Sequence, residues 1–440
     1  MKRNAYILLV LLFYTLSFQA NAQNEIWSLN KCIEYALTQS IDMQKGQISI
    51  DESRINTKQA KAQWQPSLSF STSHSINNSP WIPEGLERSN TSYNGNYNLS
   101  AGWTVFNGFK RKYNIKQQEL QEEISLVNME EIEEDVKLAV LTDYIQILYA
   151  TENLKSTRNS MEVAEAEYSR SKALFEAGAI SKSDFSQIEA QYIKEKHLLV
   201  MAENDLVEAK LNLKLLLRLD PNTEMDIVAP EITNEDILGQ LPGKDSIFGN
   251  AMKARPDIKN AELNEQMAEL KIKSAKAGYY PSINLNAGVS TGHNSSSDWA
   301  FKEQMKQNFG ENVGLSLNYS ILDNRNRKSE VERAKLNQHS SSLQTEQIKD
   351  NLKKTIESAY NDAIAAQLSY VASYSNEKAA EASYELTKEK YDLGAKNPYE
   401  MLNGKNALLN AQQQTLQAKY TALLNIQVLN IYQGLPITIE

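Results

Sequence analysis

The sequence predicts a mainly α-helical chain that also supplies four strands to a transmembrane β-barrel. Three observations lead there. Among 440 residues there are only 17 Gly and 10 Pro, roughly half of the ~12% share these breakers take in an average composition, so the elements must run long. Four segments of about ten residues alternate apolar with small uncharged side chains, the pattern of a membrane-spanning strand. The chain also consists of two copies of one unit of about 215 residues, a self-similarity that fixes the order of elements in each copy.

Composition removes several classes. Mean hydropathy is -0.51, with 41% hydrophobic and 23% charged residues, which leaves no room for a polytopic helical membrane protein. No uncharged apolar run of about 18 residues occurs beyond the N-terminus. One Cys and four His (His74, His197, His293, His339), scattered singly, exclude a disulfide framework and argue against a Cys/His metal site. A net charge of -9 offers no basic footprint for nucleic acid. No cofactor is implied.

At the N-terminus, Lys2 and Arg3 precede an apolar run from Tyr6 to Phe18, followed by Ala20-Asn21-Ala22. This is the order of a secretory signal peptide, 1–22, and the run is too short for a membrane anchor. Cleavage removes two positive charges and places the mature chain outside the cytoplasm. Cys32 follows no small-residue lipoprotein motif and reads as a buried thiol.

The repeat is visible in four blocks. The segment around Pro66 (A-Q-W-Q-P-S-L-S-F) recurs around Pro281 (A-G-Y-Y-P-S-I-N-L). Trp103 to Lys112 aligns with Tyr319 to Lys328, the Tyr168–Lys172–Phe175–Gly178 block with Tyr384–Lys388–Tyr391–Gly394, and Asp42 with Asp257. The first repeat covers 23–219 and the second 245–440. Residues 220–244, with three Pro, form the connector.

Within a copy, a helix over about 29–63 leads through a Pro to two strands and then to a very long helix. In the first copy that helix runs from about Gly108 to Ala177. Its apolar positions Leu120, Ile124, Val127, Ile132, Val136, Val140, Tyr144 and Leu148 recur at helical spacing. About 70 residues at 1.5 Å each span ~105 Å, which implies coiled-coil-like packing. The chain then turns at a Gly and returns as another helix.

The strands identify the solvent. From Tyr93 to Val105, odd positions (Tyr93, Tyr97, Leu99, Trp103, Val105) are largely apolar and even positions are Asn, Ser, Gly or Thr. Ser282 to Ser290 and Asn312 to Leu322 repeat the pattern, and Ser67 to Asn77 sets Leu68, Phe70 and Ile76 against a row of Ser. One face suits lipid and the other water. Lipid tolerates no open sheet edge, so four strands cannot serve alone. Eight would leave an interior filled by side chains, whereas twelve leave a lumen. A homotrimer with a twelve-stranded barrel is the preferred solution, the long helices continuing as a tube of the order needed to cross a periplasm.

These residues resemble the TolC family of outer membrane efflux proteins across essentially the whole mature chain. The likeness rests on the duplicated unit, the W-x-P and Y-x-P strand entries, and the tip motifs L-F-E-A-G-A-I-S-K-S-D and K-Y-D-L-G-A-K-N-P-Y-E. It implies a trimeric barrel in the outer membrane of a Gram-negative bacterium, over an α-helical periplasmic tunnel. A periplasmic adaptor and an inner-membrane pump recruit such a channel for efflux or type I secretion.

The same resemblance assigns residues. Adaptor contact falls on the hairpin tips, Gly178, Ala179 and Ile180 in one and Gly394 and Ala395 in the other. Closed-state links match Asp184, Tyr391 and Lys396, and the carboxylates at the mouth match Glu400 and Asn403, only one of which is acidic here. Asn397-Pro398-Tyr399-Glu400 also reads as a capping box, so Glu400 has both a structural and a gating reading. Asp184, three after Ser181, has the same two. Gly178 and Gly394 suit the left-handed residue that ends a helix.

The leading function is a passive exit duct. The second reading is a periplasmic coiled-coil adaptor or structural protein with a soluble β-domain, against which the four uncharged strands stand. No grouping of nucleophile, base and orienter and no phosphate loop supports an enzyme. The ten Met form no run suggesting copper handling.

Overall fold

The computed structural model describes residues 26–78 and 91–437; the signal-peptide segment 1–22 lies outside them. The elements in order are β1 (Ile26–Trp27), α1 (Leu29–Gln39), α2 (Ile41–Ala62), β2 (Ser67–Asn78), β3 (Thr91–Asn107), α3 (Lys110–Glu176) and α4 (Lys182–Leu216). There follow β4 (Asp226–Ile227), α5 (Asn234–Leu238), α6 (Lys244–Ala254), α7 (Pro256–Ala277) and β5 (Ser282–Asn294). The chain closes with α8 (Phe301–Gln307), β6 (Gly310–Asn318), α9 (Asn326–Asp392) and α10 (Pro398–Tyr432). Helices α3 and α9 contain 67 residues each, and α4 and α10 contain 35 each.

Two sequence expectations need correction. The helix expected over 29–63 is two helices, because Ser40 is extended (ψ 136°) and its Oγ accepts from Asp42 N–H at 3.2 Å. The last strand ends at Asn318 rather than Leu322, since its partner β5 begins at Ser282, paired with Asn318. The residue before that start is Pro281, which has no N–H to extend the ladder. Within the connector, residues 220–244, β4 pairs in parallel with β1, and α5 is closed by a Thr233/Asp236 capping box.

Two compact units divide the described chain. One comprises residues 26–45, 129–256 and 349–437, the other residues 46–78, 91–128 and 257–348. In the first, Val136, Val140, Leu141, Tyr144, Ile147 and Leu148 of α3 form one core with Trp27, Cys32, Ala36, Leu213, Leu217, Tyr420 and Leu423. Full burial of each large aliphatic chain contributes about 1.5–3 kcal/mol. Tyr144 spans this core and donates from Oη to the carbonyl oxygens of Trp27 (3.3 Å) and Val228 (2.7 Å), which anchors the β1–β4 ribbon. The apolar positions Leu120, Ile124 and Val127 belong instead to the second unit, where they pack on Leu263 and Met267 of α7.

The second unit carries the sheet, antiparallel throughout, in the order β2-β3-β5-β6. The register aligns whole rows. Leu68, Ala101, Ala287 and Val313 are consecutive partners across the four strands, as are Ser69, Ser100, Gly288 and Asn312 one residue along. Because side chains alternate, one face is a band of apolar rows and the other of Ser, Asn, Thr and Gly. Among the described residues most of the apolar face is uncovered: Phe70 is 67% exposed, Ile76 73%, Val313 79% and Leu315 71%. A bulge at Val105 shifts the register between Thr104 and Phe106, so Phe106 takes over the apolar position opposite Ile283. Strands β2 and β6 are the edges.

The histidines are less scattered than the sequence suggests. His74 and His293 flank Gly95 on β3, with ring centroids 6.3 Å apart, among Tyr93, Tyr97 and Phe301. A Cβ at 95 would press on the His293 ring and stand 3.0 Å from His74 Nδ1, so as the two rings stand the glycine gives them their room.

Candidate functional site

The two helical hairpins end in turns built alike. In α3/α4, Gly178 adopts φ 75°, with Gly178 N–H donating to Phe175 O at 2.9 Å and Ala179 N–H to Leu174 O at 2.8 Å. In α9/α10, Gly394 also has φ 75°, and the matching bonds run from Gly394 to Tyr391 O (2.9 Å) and from Ala395 to Lys390 O (2.8 Å). These are Schellman closures, which satisfy the last carbonyls of a helix through a left-handed residue. Open space surrounds both glycines where a Cβ would sit, so φ rather than packing selects them.

Each return helix is then capped. Ser181 Oγ accepts from Asp184 N–H at 3.1 Å and donates to Asp184 Oδ2 at 2.8 Å. Asn397 Oδ1 accepts from Glu400 N–H at 2.9 Å, while Glu400 Oε2 accepts from Asn397 N–H at 3.4 Å, the reciprocal box read from the sequence. Lys396 ion-pairs with Glu400. That bond, assisted by the Asn397 N–H, holds the Glu400 carboxyl below its ordinary value.

The structure gathers some of the expected site residues and not others. Ile180, Tyr391, Gly394 and Lys396 line one recess of about 460 Å³, together with Arg170 and Asp392. Tyr391 packs on the buried cluster of Ile188, Met401 and Leu402. Burial raises its phenol pKa, while the Arg170 charge lowers it and the Glu167, Asp392 and Asp184 charges raise it further. Asp184 and Glu400 do not line the recess, and each is bound within its own turn. Gly178, Ala179, Ala395 and Asn403 are exposed.

Other tip residues were not foreseen. Arg170 Nη1 pairs with Asp392 Oδ1 at 3.1 Å, and Lys405 Nζ with Glu167 Oε2 at 3.3 Å. Deeper in the hairpins, Gln191 Nε2 donates to Glu195 Oε1 (2.6 Å) and Asn406 Oδ1 (3.3 Å). The ion-pair partners lie 222 and 238 residues apart, so no local spacing signals them.

A sheet with one apolar face, one polar face and two open edges, carried by a chain with paired helical hairpins, defines a subunit of an outer membrane channel. The chain belongs to the Outer membrane efflux protein family, which it matches over residues 32–217 and again over 247–433. It is 24% identical over 432 residues to the outer membrane protein TolC of Escherichia coli (strain K12), covering 97% of this chain and 85% of that protein. Toxin and drug export protein A of Aggregatibacter actinomycetemcomitans is 24% identical over 419 residues, covering 92% and 87%. Among solved structures, CusC has a TM-score of 0.77 at 17% identity, covering 95% of this chain and 96% of that one. The fold is that of the outer membrane efflux channels, a helical tunnel with a β-barrel, and the family is one of channels rather than enzymes.

Proposed function

We propose that this protein is the passive trimeric exit duct of a tripartite efflux or type I secretion system, coupled to a periplasmic adaptor and an inner-membrane pump. One observation carries the trimer: a four-stranded sheet with β2 and β6 as its edges and most of its apolar face uncovered among the described residues. Lipid can solvate the face but not the edges. Pairing β6 of one copy with β2 of the next removes every edge, and three copies give twelve strands. The rows of Ser, Asn, Thr and Gly then line the lumen.

The hairpin tips are the adaptor-facing end in this reading, with contacts at Gly178, Ala179, Ile180, Gly394 and Ala395. Asp184, Tyr391 and Lys396 act as closed-state links, and Glu400 with Asn403 borders the mouth. Asp184→Ala and Glu400→Ala then raise conductance. An adaptor with a soluble β-domain has no need of an uncovered apolar face, which disfavours that second reading. The test is photo-crosslinking from positions 179 and 395 in intact cells. Adducts with an inner-membrane-anchored periplasmic protein are expected; adducts confined to lipid would overturn the assignment.

A further inference from the structure

The recess near the hairpin tips combines an apolar wall with a cation that has no partner. Its volume of about 460 Å³ falls within the ~300–1,000 Å³ usual for pockets that hold drug-sized ligands. All four hairpin helices contribute to the wall. Val163 and Leu174 come from α3, Ile188 from α4, Tyr391 from α9 and Met401 from α10. Ile188 and Met401 are buried, whereas Val163 is exposed, so the apolar surface runs from the hairpin core out to solvent.

The charged groups of this wall are not equally satisfied. Asp392 already has Arg170, at 3.1 Å, and Glu167 already has Lys405, at 3.3 Å. Lys396 has Glu400. Lys388 lines the same recess on an exposed side chain, and among the described residues it has neither an ion pair nor a side-chain hydrogen bond. Ser171 lines the recess from α3 and is only 4% exposed, yet its hydroxyl has no partner among the described residues either. A largely buried hydroxyl gains by acquiring one, and a hydroxyl can donate to an acid group.

The pairing selects the sign of a ligand. A cation would have to take Asp392 from Arg170 or Glu167 from Lys405. An anion meets Lys388 without displacing any pair. We propose that this recess binds an amphiphilic organic anion: an apolar ring or short chain that carries one carboxylate or sulfonate. Its apolar body lies on Val163, Ile188 and Met401, and its acid group is directed to Lys388 in a wall that also offers the Ser171 hydroxyl. Such a ligand joins α3 to α9 beside Tyr391 and Lys396. Any effect on opening of the mouth rests on the gating reading of those two residues, but binding itself does not.

Saturation-transfer NMR on the purified full chain in non-ionic detergent, with protein-free micelles subtracted, compares three probes with one ring system. These are 1-naphthoate, neutral 1-naphthylmethanol and cationic 1-naphthylmethylammonium. Wild type should bind naphthoate saturably and more tightly than the cation. Lys388→Gln should weaken naphthoate about two- to fivefold, the scale of an exposed ion pair, and leave the alcohol unchanged. Ala166→Trp, at an exposed position in the wall, fills the recess and should abolish saturable transfer from naphthoate. Absence of saturable transfer to wild type, tighter binding of the cation, or unchanged naphthoate affinity in either variant each overturns the proposal. Should Ala166→Trp not fold, the three probes on wild type and Lys388→Gln still decide. Conductance is not read, so failure here leaves the channel reading untouched.

Discussion

Lys405 Nζ lies 3.3 Å from Glu167 Oε2, joining α10 to α3 through an ion pair whose side chains are 5% and 20% exposed. This pair links the two hairpins near their tips, with the Arg170–Asp392 pair farther out on more exposed side chains. Removing one partner of a buried pair leaves the other uncompensated and costs about 3–5 kcal/mol. Lys405→Met should therefore lower the melting temperature and raise amide exchange around residues 167 and 405. Arg170→Ala, at an exposed pair worth at most about 1 kcal/mol, should do much less.

The tip glycines are selected by backbone conformation alone. With φ 75° and open space around each, Gly178→Ala and Gly394→Ala should each cost about 1–2 kcal/mol. Asn, which visits the left-handed region more readily, should recover part of that loss. Thermal melting of the single variants is sufficient to see it.

Glu400 should make its tip sensitive to acid. Its folded pKa lies below the ordinary value of 4.5 because Lys396 and the Asn397 N–H hold the carboxylate. The stabilisation is present in full above that ordinary value and is lost as pH falls through the lowered one. Glu400→Gln should flatten this acid limb in hydrogen exchange at residues 397–401, while Asn397→Ala should cost about 1 kcal/mol at neutral pH through the lost cap.

The two faces of the sheet should respond oppositely to charge. Leu315→Arg places a cation on the apolar face and should cost about 2–4 kcal/mol if that position lies near the bilayer centre, reducing the yield of assembled protein in the outer membrane. Ser316→Arg, on the polar face, should assemble normally. Equal effects at both positions would contradict the orientation of the rows.

Cys32 should be chemically silent in the folded chain. It is fully buried, and burial pushes its thiol pKa up to about 12, so little thiolate exists at pH 8. Maleimide labelling should appear only in denaturant.

Much of the fold was legible because its signals are local. Alternation identifies β3 and β5, and caps written in adjacent residues, such as Asn397 with Glu400, need no knowledge of the rest of the chain. Edges and partners were harder. The end of β6 at Asn318 depends on where β5 begins, and the break at Ser40 depends on a serine that both ends one helix and caps the next. The pairs Lys405–Glu167 and Arg170–Asp392 are products of hairpin packing.

Reconstitution of the purified full chain in planar bilayers tests the central claim most directly. A channel closed by edge pairing of three copies should give discrete conductance steps of uniform size. Protein that inserts no conducting units, and that fractionates with soluble periplasmic protein, would contradict it.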